Sequence, residues 1–100
     1  MTTDPQGIIL SVNPAFCSIT GYPADEVVGQ NSSILRSGRH DKAFFAQLWL
    51  MLDQKGSWEG EIWNRRKNGD SYPQWLSIAS VTSDTGQVSE YVSIFSDITD

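Results

Sequence analysis

Apolar positions are spaced irregularly through the first third of the 100-residue chain, which indicates short elements there. Ile8–Val12 is a run of apolar and β-branched residues that predicts a strand. The next apolar residues fall on one face of a short helix over 14–20, with Asn13 as its cap and Gly21 as its end. Segment 23–29 predicts a second, single-turn helix whose acidic residues suit the helix dipole.

The middle of the chain contains its longest helical pattern. Residues Asn31 to Arg39 show no periodicity, which predicts irregular backbone. Asp41 then caps a helix predicted from Lys42 to Gln54, and Lys55-Gly56 ends it. Apolar residues recur in this helix at three- and four-residue spacing and form one stripe. They are Phe45, Leu48, Trp49 and Leu52.

The last part of the chain predicts an antiparallel meander. Strands are predicted over 58–67, 71–82 and 88–97, where apolar and polar residues alternate. Asn68-Gly69 and Asp84-Thr85-Gly86 separate these strands, and both suit tight hairpins. Together with the earlier elements this predicts an α+β fold, an antiparallel sheet covered on one face by helices. At this length we expect one domain over 1–100.

Composition excludes several classes of function. Hydrophobic residues at 39% and charged residues at 19% indicate a folded globular chain. The net charge of −5 disfavours nucleic-acid binding, which needs a basic surface. The only basic cluster, Arg65–Lys67, is interpreted as a solvated hairpin turn, with a phosphate site as the alternative. No long apolar run or signal pattern occurs, so we expect a cytoplasmic domain without membrane contact. Cys17 is the only cysteine, which excludes an intrachain disulfide.

Several motifs, in this order along nearly the whole chain, resemble those of a PAS domain. They are Asp4-x-x-Gly7, Asn13-Pro14-Ala15-Phe16, Thr20-Gly21-Tyr22, Glu26-Val27-Val28-Gly29-Gln30-Asn31, Trp58-x-Gly60-Glu61, Asn64-Arg65-Arg66-Lys67-Asn68-Gly69 and Asp97-Ile98-Thr99. The resemblance implies a sensory domain with a five-stranded antiparallel sheet and helices over one face. Its first strand is expected to be cut short, since only 1–3 precede the first motif. In the family the closing motif leads into a helix that reaches an output domain, and the chain stops before that helix.

The amino-acid sequences of two longer stretches resemble those of bacterial sensor modules attached to diguanylate cyclases and phosphodiesterases. These stretches are Ser37–Trp49 and Gly60–Lys67. They are also similar to the FAD-binding redox module of the nitrogen-fixation regulator. In such flavin modules a tryptophan of the long helix and an asparagine of the next strand line the isoalloxazine, and Trp49 and Asn64 match these positions. The resemblance therefore implies FAD as cofactor.

The residues support a polar contact inside the sheet. Asn64 shares the expected inner face of its strand with Gly60, and a buried amide needs partners because an unpaired one costs about 1–3 kcal/mol. Its carboxamide can donate and accept along a flavin's pyrimidine edge, and Gln74 of the next strand could offer a second amide. Gly60 would let a flat ring approach the backbone, although a bulge explains it equally well. Trp49 fits an ordinary core position as well as a ligand wall, and Gln74 fits a solvated strand residue.

Asn31 and Ser32 complete the candidate cofactor site by resemblance. The flavin modules can carry glutamate at the place of Ser32, and the light-sensing branch carries there the cysteine that attacks the flavin. A hydroxyl is far less nucleophilic than a thiol, so blue-light adduct chemistry is excluded. Phe95 stands where that branch has a flavin-contacting glutamine, which supports the same conclusion.

Other chemistries have little support in the sequence. His40 is the only histidine and the only imidazole available to a haem iron, and it precedes the long helix, so haem binding is not expected. No nucleophile–base set, phosphate-binding glycine loop or metal-ligand cluster is apparent, so we expect no catalytic residues, no metal site and no enzymatic activity.

The outer face of the sheet is a candidate interface. Trp63 and Trp75 are predicted to point away from Asn64 and Gln74, and exposed tryptophans indicate a contact surface. We expect a homodimer through this face, besides an output domain linked covalently in the full-length protein. Cover by a missing terminal segment is the other interpretation. Two alternatives to the flavin sensor remain: a cofactor-free dimerisation module, and a receptor for another small ligand.

Overall fold

The chain folds as one antiparallel sheet with its helices on one face. A computed structural model describes residues 1–98, so Thr99 of the closing motif and Asp100 lie outside the described residues. The sheet has the order β2-β1-β5-β4-β3, which confirms the predicted α+β class and five strands. The strands are β1 Thr2–Thr3, β2 Ile9–Ser11, β3 Ser57–Arg65, β4 Ser71–Thr82 and β5 Val88–Asp97. The helices are α1 Pro14–Thr20, α2 Ala24–Val27, the 3₁₀ helix η1 Ser32–Leu35 and α3 Lys42–Lys55.

Local chemistry fixes the helix ends that the sequence predicts. Asn13 Oδ1 accepts from the Phe16 N–H, and Asp41 Oδ1 accepts from the Phe44 N–H, each at 2.9 Å. Gly56 takes the left-handed conformation that ends α3, with φ of 76°. The segment predicted as irregular contains η1, because Asn31 caps it through the Ser33 N–H.

The first strand, β1, is only two residues long, as expected, yet it joins the sheet on both sides. Thr2 and Thr3 pair with β2 on one edge and with Tyr91 and Val92 of β5 on the other. The hydrogen bonding between β1 and β5 extends to Met1, whose amino group donates to the Ser93 carbonyl at 3.0 Å. Because β1 lies between β2 and β5, these few residues connect the early part of the chain to the meander.

Two groups of apolar residues fill the space between helices and sheet. One cluster packs beneath α1 and α2 and consists of Ile9, Phe16, Val27 and Leu35. The other buried apolar side chains come from α3 and the meander, and they are Leu48, Leu52, Ile62, Tyr72 and Leu76. Within residues 1–98 no helix has the length and apolar character needed to cross a bilayer.

The basic cluster at the β3–β4 turn is largely exposed, as the sequence suggested, but it also makes contacts that the sequence did not predict. Arg66 forms an ion pair with Asp97 at 2.6 Å, and the Lys67 N–H donates to the Thr20 carbonyl at 2.9 Å. Lys67 Nζ also contacts Glu26 at 2.6 Å, although that pair is half exposed and contributes little. These residues attach the hairpin to the helical layer, which no local pattern could indicate.

Removing the cap of α3 should destabilise the domain without changing its core. Asp41→Ala is expected to lower the free energy of unfolding by about 1 kcal/mol, because the Phe44 N–H loses its acceptor. Urea unfolding followed by tryptophan fluorescence measures this. Asp53→Ala is the control: its carboxylate is exposed in the last turns of the same helix, where a negative charge opposes the dipole. A loss as large in Asp53→Ala would contradict the capping role.

Candidate functional site

A cavity of about 100 Å³ lies between α3, η1 and the inner face of the sheet. Most of its wall is apolar, and the apolar side chains come from the loop segment, the helix and three strands. They include Leu35, Phe45, Leu48, Ile62, Leu76 and Phe95. A smaller number of polar groups reach the same space, among them Ser32, Asn64, Tyr91 and Ser93. An apolar space with a few polar groups is the usual character of a ligand site.

Asn64 lies on the inner face of β3, as its alternation with outward residues predicts. The residue is 6% exposed and lines the cavity. None of the hydrogen bonds among residues 1–98 involves its carboxamide. A buried amide without partners costs about 1–3 kcal/mol, so a group entering the cavity would find both a donor and an acceptor there.

Gln74 is fully buried, so its interpretation as a solvated strand residue does not hold. It lies opposite Ile62 on the inner face of β4. Its Oε1 accepts from the Tyr72 hydroxyl at 2.8 Å, while its Nε2 has no partner among the described residues. Gln74 does not itself line the cavity, but Ile62 beside it does.

Trp49 is a rim residue of the cavity and does not belong to the core. It is 42% exposed, whereas Leu48 and Leu52 of the same apolar stripe are buried. Its indole meets the ring of Tyr91 edge to face, with centroids 5.2 Å apart. The structure thus brings Trp49 and Asn64 to one cavity, at its rim and in its wall respectively.

The candidate residues Asn31 and Ser32 are adjacent in sequence but have different roles in the structure. Ser32 lines the cavity. Asn31 is exposed and structural: besides capping η1, its Nδ2 donates to the Gln6 carbonyl at 3.3 Å. Gly60 also has a local role, since a Cβ there would lie 3.0 Å from the ring of Trp58. Its absent side chain makes room for that indole, and Gly60 is not part of the cavity wall.

A partition of three side chains, Arg36, Phe45 and Trp49, lies between the cavity and the surface and was not predicted from the sequence. The Arg36 guanidinium stacks on Phe45, 4.0 Å from the ring centroid. Both residues, and Trp49, also line a surface cleft of about 350 Å³ on their other side. Arg36 lies in the segment predicted as irregular, where no periodicity reveals which way a side chain points. Ligand pockets usually measure about 300–1,000 Å³, so a guest of that size requires this partition to move.

The two outward tryptophans differ in their surroundings. Trp75 is 42% exposed on the outer sheet face. Trp63 is half-buried because the Arg39 guanidinium lies over its ring at 4.1 Å. Exposed apolar residues of the neighbouring strands, Ile94 above all at 66%, share the outer face with Trp75.

Comparison with known proteins agrees with this architecture. The model of the PAS domain family matches residues 1–100. The chain is a PAS domain.

Relatives of this PAS domain include parts of much longer regulatory proteins. It is 38% identical over 100 residues to the aerotaxis receptor of Escherichia coli, and 31% identical over 96 residues to a nitrogen fixation regulatory protein of Klebsiella oxytoca. These matches cover 99% and 96% of the chain but only 19% of each relative. The PAS domain thus spans about a fifth of the length of these relatives.

A solved structure shares the fold closely. The PAS domain of a Colwellia psychrerythraea protein superposes with a TM-score of 0.92 at 23% identity, over 98% of this chain and 83% of that one. At this level of identity the similarity concerns the fold alone.

His40 caps the exposed edge of the sheet in this PAS domain. β3 is an edge strand, and His40 Nε2 accepts from the Trp63 N–H at 2.9 Å while Ser37 Oγ donates to the Trp63 carbonyl at 2.8 Å. The imidazole also stacks on Phe44, with centroids 3.9 Å apart. Burial, and then the charge of Arg39, lower its pKa below 6.5, against an opposing effect of Asp41.

Acid should therefore weaken this edge. The lowered pKa means that the folded state favours neutral His40, so its contribution is complete above pH 6.5 and lost as pH falls through the folded-state pKa. Protonated Nε2 cannot accept the Trp63 N–H. His40→Ala should cost roughly 0.5–1.5 kcal/mol of unfolding free energy at neutral pH, and the difference from wild type should shrink in acid. Urea unfolding across pH measures both.

His40→Gln is the matched variant for this pH effect. Its side chain keeps an acceptor oxygen but does not titrate, and the chain has no other histidine. Its pH profile should follow that of His40→Ala in shape. A wild-type profile parallel to both variants would show that the hydrogen bond to Trp63 does not depend on the protonation of His40.

Proposed function

We propose that this PAS domain binds a flavin, FAD, in the inner cavity and senses its redox state. The observation that carries the proposal is the pair of buried amides at Asn64 and Gln74. Each leaves hydrogen-bonding capacity unused among residues 1–98, next to a largely apolar space. Unpaired buried amides destabilise a domain that holds nothing, so they favour a role in binding.

The hydrogen-bonding groups and the walls of the cavity suit a flavin. The pyrimidine edge of an isoalloxazine alternates carbonyls with N–H groups, and Asn64 can both donate and accept. The apolar walls suit the remainder of the ring system, whose burial favours binding by roughly 25 cal/mol per Å². The bound flavin would supply reversible electron uptake coupled to protonation of its ring. When its hydrogen-bonding pattern changes, Asn64 and Gln74 would have to reorient to keep their bonds.

Entry of the ring requires movement on one side of the cavity. The wall formed by Arg36, Phe45 and Trp49 separates the cavity from the surface cleft. Trp49 is already half exposed, and Arg36 is an exposed residue held by a stack on one ring, so both can move at low cost. The opposite wall is the sheet, whose inner residues are held in place by strand pairing.

The domain itself would perform no catalysis and would act on a linked output domain. β4 carries Gln74 and pairs directly with β5, where Gln74 lies opposite Asp97. A shift at the amides can therefore reach the end of the last strand through one strand pair. In a longer protein we expect a helix to continue from there to an output domain such as a diguanylate cyclase or phosphodiesterase, in the bacterial cytoplasm.

Asn64→Leu should separate binding from stability. Without ligand, the variant should be as stable as wild type or more stable by about 1 kcal/mol, because a buried unpaired amide is removed. Its dissociation constant for FAD should rise about tenfold, because the polar contacts to the ring are lost. Urea unfolding and the blue absorption of flavin retained on gel filtration measure the two effects.

Gln54→Leu is the control for this change, since Gln54 is exposed on α3 away from the cavity and should alter neither quantity. Wild-type protein that remains colourless after incubation with FAD would overturn the flavin proposal. Retention of a colourless metabolite on the same residues would instead support a receptor for another small ligand. A Soret band would indicate haem, although His40 already accepts a backbone N–H.

The outer sheet face favours a second function, homodimerisation with or without cofactor. Trp75 and Ile94 expose apolar surface on adjacent strands, β4 and β5. The residues Glu59 and Glu61 of β3 lie beside them and would form a polar rim, the usual anatomy of an interface. Trp63 lies at the border of this face under Arg39, so Trp75 would be the central contact.

Trp75→Glu should disperse such a dimer and leave the fold intact, because its side chain projects to solvent in the single chain. The expected result is a dimeric wild type and a monomeric variant in sedimentation experiments, with unchanged far-ultraviolet circular dichroism. Gln87→Glu, in the exposed β4–β5 turn, adds the same charge away from the face and should stay dimeric. A monomeric wild type at high protein concentration would remove this function.

A further inference from the structure

We propose that Tyr72 is the positioning residue of the binding site. Its hydroxyl holds the Gln74 oxygen, so that Gln74 Nε2 is left as a hydrogen-bond donor and selects a ligand with a carbonyl or ring-nitrogen acceptor. The proposal rests on the ligand-binding function proposed above, and it adds a residue that lies outside the cavity wall.

Gln74 is surrounded on the inner face of the sheet by residues of the cavity wall. On the inner face of the sheet, Gln74 lies opposite Ile62 of β3 and diagonal to Asn64. Leu76 is the next inward residue of β4, and Phe95 is the inward residue opposite it on β5. All four of these neighbours line the cavity. Opposed side chains in a sheet start about 5 Å apart, so Gln74 lies directly beside the cavity wall.

In the observed orientation, the hydroxyl of Tyr72 bonds one end of the Gln74 amide and leaves the other end free. A carboxamide has one acceptor and one donor end, and rotation by half a turn exchanges them at little steric cost. Tyr72 donates to Oε1 at 2.8 Å, and Nε2 has no partner among residues 1–98. Because Gln74 is fully buried, water does not replace either bond cheaply. The hydroxyl thus commits the oxygen and leaves the N–H groups unpaired.

Tyr72 is itself buried and stacked against an anchored arginine. Its ring is 2% exposed, and the Arg66 guanidinium lies over it at 3.9 Å. Arg66 in turn forms the ion pair with Asp97 and donates to the Ile19 carbonyl at the end of α1. Burial raises the pKa of Tyr72 to about 12, so the hydroxyl keeps its proton and remains a donor at neutral pH. The amide is therefore oriented by a group anchored to both the last strand and the helical layer.

The test compares Tyr72→Phe, Gln74→Met and the double variant in FAD affinity. Tyr72→Phe keeps the ring and its stack with Arg66 but loses the hydroxyl. Its dissociation constant for FAD should rise about three- to tenfold, the usual effect of one hydrogen bond. In the Gln74→Met background the same change should have no further effect, because no amide remains to be oriented. Tyr22→Phe, the same change at a half-buried tyrosine outside the site, should leave affinity unchanged.

A second measurement does not depend on determining the affinity for FAD. In the ligand-free chain, the side-chain amide resonances of Gln74 should differ between wild type and Tyr72→Phe and agree between wild type and Tyr22→Phe. On adding FAD to wild type, the same resonances should shift, which tests the proposal even if a variant folds poorly.

Three results would overturn the proposal: additive effects of Tyr72→Phe and Gln74→Met, Gln74 resonances unaffected by loss of the Tyr72 hydroxyl, or bound FAD that leaves these resonances unmoved. Failure of wild type to bind FAD would remove the flavin function. In that case the ligand-free comparison alone decides whether Tyr72 orients Gln74.

Discussion

Side chains alternate between the two faces along β3 and β4, and this alternation places two amides in the interior. Much of the structure follows from that constraint. A period of two places Asn64 and Gln74 on the covered face and Trp63 and Trp75 on the other. A shift of one residue in either strand would exchange these sets and bury indoles where the amides now lie. The nine consecutive pairs between the two strands hold this register.

Buried amides and an apolar cavity impose opposite demands on the same space. The apolar walls stabilise the fold by burial, whereas unpaired amides cost free energy in the single chain. The remaining core beneath α1 and α2 buries a separate cluster of apolar side chains, which contributes stability of its own. A region that is locally suboptimal next to a well-packed one is the pattern expected of a binding site.

Two basic residues of the β3–β4 turn connect the sheet to the helical layer. Arg66 joins the β3–β4 turn to Asp97 of β5 and to the end of α1, while Lys67 reaches Thr20 and Glu26 of the helical side. The same turn presents Tyr72 to Gln74. The end of the last strand is thereby tied to the residues nearest the proposed ligand. A chemical change inside the cavity has a short, physically continuous route to that strand.

Local sequence determined the elements and their faces, because these depend on nearest neighbours. Capping by Asn13 and Asp41, the turn at Asn68-Gly69 and the period of β3 act within a few residues, so the helices, the hairpin and the inward amide of Asn64 were predictable. Tertiary structure alone decided which side chains meet. It placed Trp49 at a rim against Tyr91 and paired Arg66 with Asp97, since contacts between distant segments depend on how whole elements pack.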